Sequence, residues 1–300
     1  MVLLRRLGAI ALLTAGLSVA LFALLDLMPD ARPGADRAGA APVARAERPF
    51  WTRYACWIVG GADCPRSPGG LVRGDLGYST AFRAPLAPVL ADRLWASARL
   101  LVPALIASVL LAIGLGLWMG VRDPRLDGRT LDLATMLGLG VPKHWGALVL
   151  LLLVQTTLGL AALQTAPLVW PWLVLVGFYV VRWSRYVRSS VREELAAPHV
   201  RLARAKGVPE GRVLVHHVLR GALVPFVAVV AQSVPVVFSG SVLVESVFSY
   251  PGMGLLILES LRASDHRAAV TVFLAYAVVT FVVSMAADAV YRALDPRSAP

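Results

Sequence analysis

The sequence is 300 residues long, with 58% hydrophobic and 16% charged residues, whereas soluble domains have about 45–50% and about 25%. Its apolar residues are concentrated in long uncharged runs, of the length that a helix needs to cross the hydrocarbon core of a bilayer, which excludes a soluble protein and a disordered chain. The net charge of +11 can indicate nucleic-acid binding, but basic loops that orient a membrane protein are the better interpretation.

The apolar runs predict six membrane-spanning helices. The first run follows Arg5 and Arg6 and is longer than the apolar core of a secretory signal, so we expect it to be retained as a span. Glycines and Pro142 interrupt the third run. Residues 28–93 are polar and form the only sizeable soluble segment. In chain order, the predicted spans are residues 7–25, 94–121, 131–158, 167–181, 222–244 and 269–291.

Arginine and lysine are unevenly distributed between the two predicted sides of the membrane. If the N-terminus is inside, the inner segments carry sixteen of these residues, and the two short outer links carry only Arg262 and Arg267. Residues 28–93 carry nine more, but a loop of this length is exempt from the rule that short cytoplasmic loops are positively charged. We therefore expect an all-α integral membrane protein with both termini inside. Cys56 and Cys64 then lie outside, where disulfides persist.

The sequence lacks the common motifs of catalysis and metal binding. Its two lysines, Lys143 and Lys206, do not follow a glycine, so there is no phosphate-binding P-loop. His216 and His217 are the only adjacent histidines, and neighbouring residues do not share a helix face. Ser239 lies in a Ser-Gly-Ser run without the frame of a nucleophile elbow. We therefore expect no enzyme active site and no metal site.

The most informative segment is a basic loop over residues 184–222, which is too long and too patterned for a simple turn. Pro198 suits the first turn of a helix, residues 199–206 form about two turns, and Gly207 is a natural C-terminal stop. This short helix combines positive charges with a small apolar face, which suits docking to a soluble partner. The alternative is a basic helix that rests on anionic lipid.

The run Ala203-Arg204-Ala205-Lys206-Gly207 resembles the coupling loop of ABC-importer permeases, specifically the dipeptide, oligopeptide and nickel transport group. Aligned on Gly207, the general importer motif E-A-A-x-x-x-G places Arg201 at the glutamate. Pro198 also departs from the acidic or polar residue that is usual there. Three further runs resemble motifs of the same group at matching positions: GDLGYS at 74–79, VESVFSYPGMG at 244–254 and LDPR at 294–297. The early first span and the long first outer loop resemble the B-type subunit.

The resemblance implies a type I ABC-importer permease fold in a prokaryotic inner membrane, with residues 1–300 forming one domain. In such a system a solute-binding protein delivers peptides or similar small solutes, and a second permease completes the path. One or two ATPase subunits bind ATP and Mg²⁺, so no cofactor is expected in this chain, and its other contacts are with lipid rather than nucleic acid. Nickel chelates and glutathione-type solutes remain alternatives. A stand-alone channel, a secondary transporter or a scaffold remains a less favoured rival.

The resemblance also implies which residues couple the chain to an ATPase. These are the short helix and its stop: Pro198, His199, Arg201, Ala203, Arg204, Ala205, Lys206 and Gly207.

Four polar residues in or near the predicted spans are candidates for the translocation path or its gate. Lys143 follows Pro142 and is either functional, as intramembrane charges often are, or extends to the interface. Glu245 could line an outer gate or hold the turn at 249–254. Gln232 and Ser239 face either the path or another helix.

We predict a disulfide between Cys56 and Cys64, because both lie in the outer segment. Maleimide labelling of the intact protein without reductant is expected to modify neither thiol, and labelling after reduction is expected to modify both. The variant Cys56→Ser serves as the positive control, since it leaves Cys64 reactive. Free reactivity of both thiols before reduction would contradict the bridge.

Overall fold

The computed structural model describes residues 2–27, 49–61, 69–122, 136, 140, 142–159 and 168–294. This part of the chain is helical except for a small antiparallel ribbon, in which β1 (Tyr78–Ser79) pairs with β2 (Ala84–Pro85). Its helices are α1 (Val2–Leu27), α2 (Phe50–Ile58), α3 (Leu86–Val121), α4 (Lys143–Thr157), α5 (Val169–Leu195), α6 (Pro198–Ala205), α7 (Glu210–Val247), α8 (Met253–Arg262) and α9 (His266–Leu294). A single 3-10 turn covers Leu71–Arg73.

Among the described residues, three helices are long and apolar enough to cross a membrane: Leu86–Val121, Glu210–Val247 and His266–Ala289. A shorter apolar stretch lies in α1 at Ala11–Leu25. Each of the six predicted spans overlaps one of the helices α1, α3, α4, α5, α7 and α9. The crossing of the membrane by all six stays a prediction.

The third predicted span is interrupted at Pro142, as the sequence indicates, and the described helix after the interruption begins at Lys143. Pro142 precedes it in an extended conformation, with φ −60° and ψ 137°. Proline cannot donate a backbone hydrogen bond, and it disfavours a helical conformation in the residue before it. Met136 and Gly140 are helical, and the other residues of 123–141 lie outside the described part. Lys143 is thus the first residue of α4 rather than an interior one.

The predicted fourth and fifth spans are parts of longer helices. The apolar part of α5 passes directly into a basic part that ends at Leu195. Helix α7 begins at Glu210, well before its apolar part, and includes a π-helical segment over Val213–Leu219. Both helices therefore extend into the basic loop and carry α6 between them.

The described residues fall into two compact units. The first contains Met1–Ala96 and Pro251–Phe281, and its core includes an aromatic cluster between α1 and α2. The Phe22 ring stacks on Trp57 at a centroid distance of 5.4 Å. The hydroxyls of Ser18 and Tyr54 are hydrogen-bonded at 2.7 Å. These contacts hold α2 against the C-terminal half of α1.

Asp265 connects the segment after β1 to the start of α9 within the same unit. It is only 6% exposed. Its Oδ2 accepts hydrogen bonds from the Ser79 hydroxyl at 2.7 Å and the Thr80 amide at 2.9 Å. Its Oδ1 accepts one from the Ala268 amide at 3.2 Å, which caps α9. One buried carboxylate therefore fixes both the end of the GDLGYS motif and the beginning of a predicted span.

The second unit contains Ser97–Tyr250 and Val282–Pro300. Helix α3 approaches α5 closely at two glycines. A Cβ atom on Gly116 would lie 2.5 Å from the Val187 Cβ, and one on Gly120 would lie 2.5 Å from the Val191 Cγ1. Small residues commonly allow such close packing between membrane helices. Trp183 of α5 is completely buried in this unit.

We predict that Asp265→Ala destabilises the protein by on the order of 2–4 kcal/mol, because several buried donors lose a charged acceptor. Thermal unfolding of the detergent-solubilised protein, followed by size-exclusion chromatography, measures the effect. Asp92→Ala is the matched control, since Asp92 is exposed on α3 of the same unit. Equal unfolding midpoints for the two variants would contradict a structural role of Asp265.

Candidate functional site

Helix α6 and its end have the geometry that the sequence predicts. Pro198 occupies the first turn, and the chain after the helix reverses at Gly207, whose φ is +75°. The Gly207 amide donates to the Arg204 carbonyl at 2.9 Å, and the Val208 amide donates to the Ala203 carbonyl at 3.2 Å. This pair of bonds is a Schellman motif, in which glycine adopts the left-handed conformation at low cost. The predicted helix and its stop are therefore confirmed, whereas their role stays a prediction.

Helix α6 has one buried and one exposed face. Val200 and Ala203, three residues apart, are buried against the rest of the unit. Ala203, a predicted coupling residue, thus points inward, while Leu202 is 56% exposed. The remaining predicted coupling residues are all exposed: Pro198, His199, Arg201, Arg204, Ala205, Lys206 and Gly207.

Two acidic residues hold α6 at its two ends. At its C-terminal end, Arg204 donates two hydrogen bonds to Glu210, from Nε at 3.1 Å and from Nη2 at 2.5 Å. These bonds raise the pKa of the Arg204 guanidinium. At its N-terminal end, the His199 Nε2 lies 3.3 Å from the Glu194 Oε2, and this contact is an ion pair only when the histidine is protonated. The sequence interpretation missed both glutamates, because nothing in their local pattern distinguishes them from solvated charges.

Glu194 also touches the backbone of α7 at Gly221. A Cβ atom on Gly221 would lie 2.5 Å from both Cδ and Oε1 of Glu194. The absence of a side chain at this position therefore lets the carboxylate lie between α5, α6 and α7.

The exposed face of α6 is positively charged. The positive charge of Arg204 is paired with the carboxylate of Glu210. Helix α6 itself contains no acidic residue. The charges of Arg201 and Lys206, on either side of Leu202 in the sequence, are therefore not paired within the helix. Such a face is complementary to a partner surface that combines acidic groups with an apolar depression.

Lys143 lies inside the second unit, in contact with α5 and α7. Its ammonium lies 5.7 Å from the centroid of the Phe178 ring. It also lies against Gly240, where a Cβ atom would overlap the Nζ. The structure thus places Lys143 beside the two helices that lead into the basic loop.

The other path candidates occupy two different environments on α7. Gln232 and Ser239 are exposed and are seven residues apart, so they share a helix face. Glu245 is completely buried and accepts hydrogen bonds from the Ser97 hydroxyl at 2.8 Å and the Ser241 hydroxyl at 3.3 Å. Its carbonyl accepts a hydrogen bond from the Tyr250 amide in the turn at 249–254, as expected if Glu245 holds this turn.

Of the two cysteines of the predicted disulfide, one lies within the described residues. Cys56 lies in α2, and Cys64 lies outside the described residues. The bridge stays a prediction.

Comparison with known proteins gives a consistent result over most of the chain. Residues 112–300 match the family described as binding-protein-dependent transport system inner membrane component. The chain is 28% identical to the oligopeptide transport system permease protein AppB of Bacillus subtilis, over 83% of this chain and 80% of the relative. It is 30% identical to the dipeptide transport system permease protein DppB of Haemophilus influenzae, with coverages of 76% and 78%. It is also 30% identical to the oligopeptide transport system permease protein OppB of Mycobacterium tuberculosis, with coverages of 84% and 81%.

We predict that Gly221→Ala raises the unfolding midpoint less than Gly211→Ala does, because the added methyl group displaces the Glu194 carboxylate, although the flexible Glu194 side chain keeps the cost of this displacement small. Gly211→Ala is the matched control on α7, since a Cβ atom there meets nothing within 4 Å, and alanine favours a helix over glycine. Thermal unfolding in detergent compares the two. An equal rise of the unfolding midpoint in the two variants would show that Glu194 is not confined by this contact.

Proposed function

Because the chain belongs to the family of binding-protein-dependent transport system inner membrane components, we propose that it is the B-type permease subunit of an ABC importer for peptides. As a member of this family it is a multi-pass plasma membrane protein and a transport subunit rather than an enzyme. The names of its relatives, which are oligopeptide and dipeptide permeases, support peptides as the solute.

The proposed topology has six spans with both termini inside. The helices α1, α3, α4, α5, α7 and α9 overlap the predicted spans, and the excess of positive charge in the inner segments supports this orientation. Residues 28–93 then form the first outer loop, and residues 184–222 form the cytoplasmic loop. In this arrangement α6 is held on the cytoplasmic side, where an ATPase can reach it.

The proposed partners supply what this chain does not contain. A solute-binding protein delivers the peptide outside, and a second permease subunit forms the other side of the path. Partner ATPase subunits bind ATP and Mg²⁺ and hydrolyse the nucleotide. This chain contributes part of the path. It also contributes the surface of α6, which one ATPase subunit contacts and moves.

The observation that carries the coupling role is the form of α6: a short, exposed, basic helix that is attached at both ends. Glu194 and Glu210 fix its position, and its buried residues Val200 and Ala203 anchor it to the unit. A force applied to α6 therefore reaches α5 and α7 directly. Coupling of this kind requires an element with two arrangements that both sites influence.

We predict that Gly207→Asp separates ATP hydrolysis from transport. Aspartate tolerates a positive φ better than most residues, so the helix end is retained at a cost of about 1 kcal/mol, while a negative charge enters the docking face. In proteoliposomes with all subunits, peptide uptake is expected to fall at least tenfold while ATP hydrolysis continues.

The matched control is Gly211→Asp, which adds the same charge four residues away, where nothing lies within 4 Å of a Cβ atom. Deletion of residues 198–207 is expected to abolish co-purification of the ATPase subunits with this chain. Normal uptake by Gly207→Asp, or undiminished ATPase capture by the deletion variant, would overturn the docking assignment.

A further inference from the structure

Lys143 occupies a position at which its surroundings oppose a positive charge. It is the first residue of α4, and the N-terminal end of a helix is itself positive. It lies in an apolar predicted span, where a charged side chain is costly and is a candidate for function by default. A second cation, Arg182, lies on α5 four residues after Phe178 and therefore on the helix face that Lys143 contacts.

The described residues give Lys143 no acidic counter-charge. The acidic residues Glu259, Glu194 and Glu210 instead face Arg93, His199 and Arg204. The ammonium is instead positioned by the Phe178 ring and by the bare backbone of Gly240. A cation–π contact is weak and does not offset the cost of an uncompensated charge in an apolar environment.

The same part of α5 supplies a further hydrogen-bond donor without an acceptor. Tyr179 is 2% exposed, and its hydroxyl has no hydrogen-bond partner among the described residues. Tyr179 precedes Arg182 by three residues, so the two side chains are neighbours on α5. The neighbourhood of Arg182 is therefore rich in cations and donors and, in the described part of the chain, poor in acceptors.

We propose that Lys143 and Arg182 form a carboxylate-binding point in the translocation path, which binds the C-terminal carboxylate of the transported peptide. This inference rests on the proposed function, since a peptide supplies the anion. Charge-assisted hydrogen bonds to a carboxylate are the strong ones, and the anion relieves the repulsion between the two cations. Lysine offers a compact point charge rather than a rigid bidentate fork, which allows the carboxylate to leave as transport proceeds.

The first experiment measures uptake by the complete transporter in proteoliposomes, with trialanine and trialanine amide as probes. The wild type is expected to take up the free acid at least tenfold faster than the amide. Lys143→Gln is expected to reduce uptake of the acid to the level of the amide, and Lys143→Arg to restore the preference. ATP hydrolysis is expected to continue in both variants.

The matched control is Arg122→Gln, which removes a cation at the end of α3 in the same unit, where the guanidinium lies over Trp118. It is expected to keep the wild-type preference. If Lys143→Gln takes up trialanine as fast as the wild type, or if Lys143→Arg behaves like Lys143→Gln, the carboxylate role of Lys143 is wrong.

A second experiment does not depend on transport and uses the fact that the chain has only two lysines, Lys143 and Lys206. The purified complex is treated with trinitrobenzenesulfonate, and modification of each lysine is measured by mass spectrometry. Trialanine, but not its amide, is expected to slow modification of Lys143 at least fivefold relative to Lys206. Equal rates with and without trialanine would overturn the binding point.

The two experiments distinguish failure of this inference from failure of the proposed function. Absence of ATP-dependent uptake of both probes by the wild type, together with protection of Lys143 by trialanine, would leave the binding point intact and contradict peptide import. Uptake of trialanine without protection of Lys143 and without an effect of Lys143→Gln would support peptide import and contradict the binding point.

Discussion

A helix of eight residues is not stable in water by itself, because forming its first turn costs more than its few hydrogen bonds return. The form of the basic loop therefore depends on the contacts that hold α6 to its neighbours. Val200 and Ala203 bury its inner face, and Glu194 and Glu210 bind its two ends. Exposed ion pairs contribute little to stability individually, so these pairs matter chiefly because they fix where α6 points.

Glu245 and Lys143, which both lie in the apolar part of the second unit, have very different surroundings. Glu245 is buried, but two serine hydroxyls satisfy its side chain, as expected for a polar group that serves the fold. Lys143 has an aromatic ring and a glycine as neighbours and a second cation nearby. Glu245 therefore serves the fold, whereas the described residues provide no acidic partner for the Lys143 ammonium.

Local signals predicted the local features of this chain well. Pro198 and Gly207 fixed the ends of α6, since both residues act through their own backbone conformation. Long-range contacts were not predictable, because they depend on which segments the fold brings together. Asp265 binds Ser79 and Thr80 across some 185 positions of sequence, and Glu194 meets Gly221 on a different helix. The break at Pro142 was noted in the sequence, but the position of Lys143 at the start of a helix required the structure.

The close approach of α3 and α5 has a mechanical consequence. Val187 and Val191 pack onto the backbone of Gly116 and Gly120, where no side chain separates the two helices. If one helix slid along the other, a valine would collide with a neighbouring side chain. Close-packed interiors of this kind transmit strain instead of absorbing it. A displacement that begins at the basic end of α5 is therefore passed to α3 as a movement of one rigid pair.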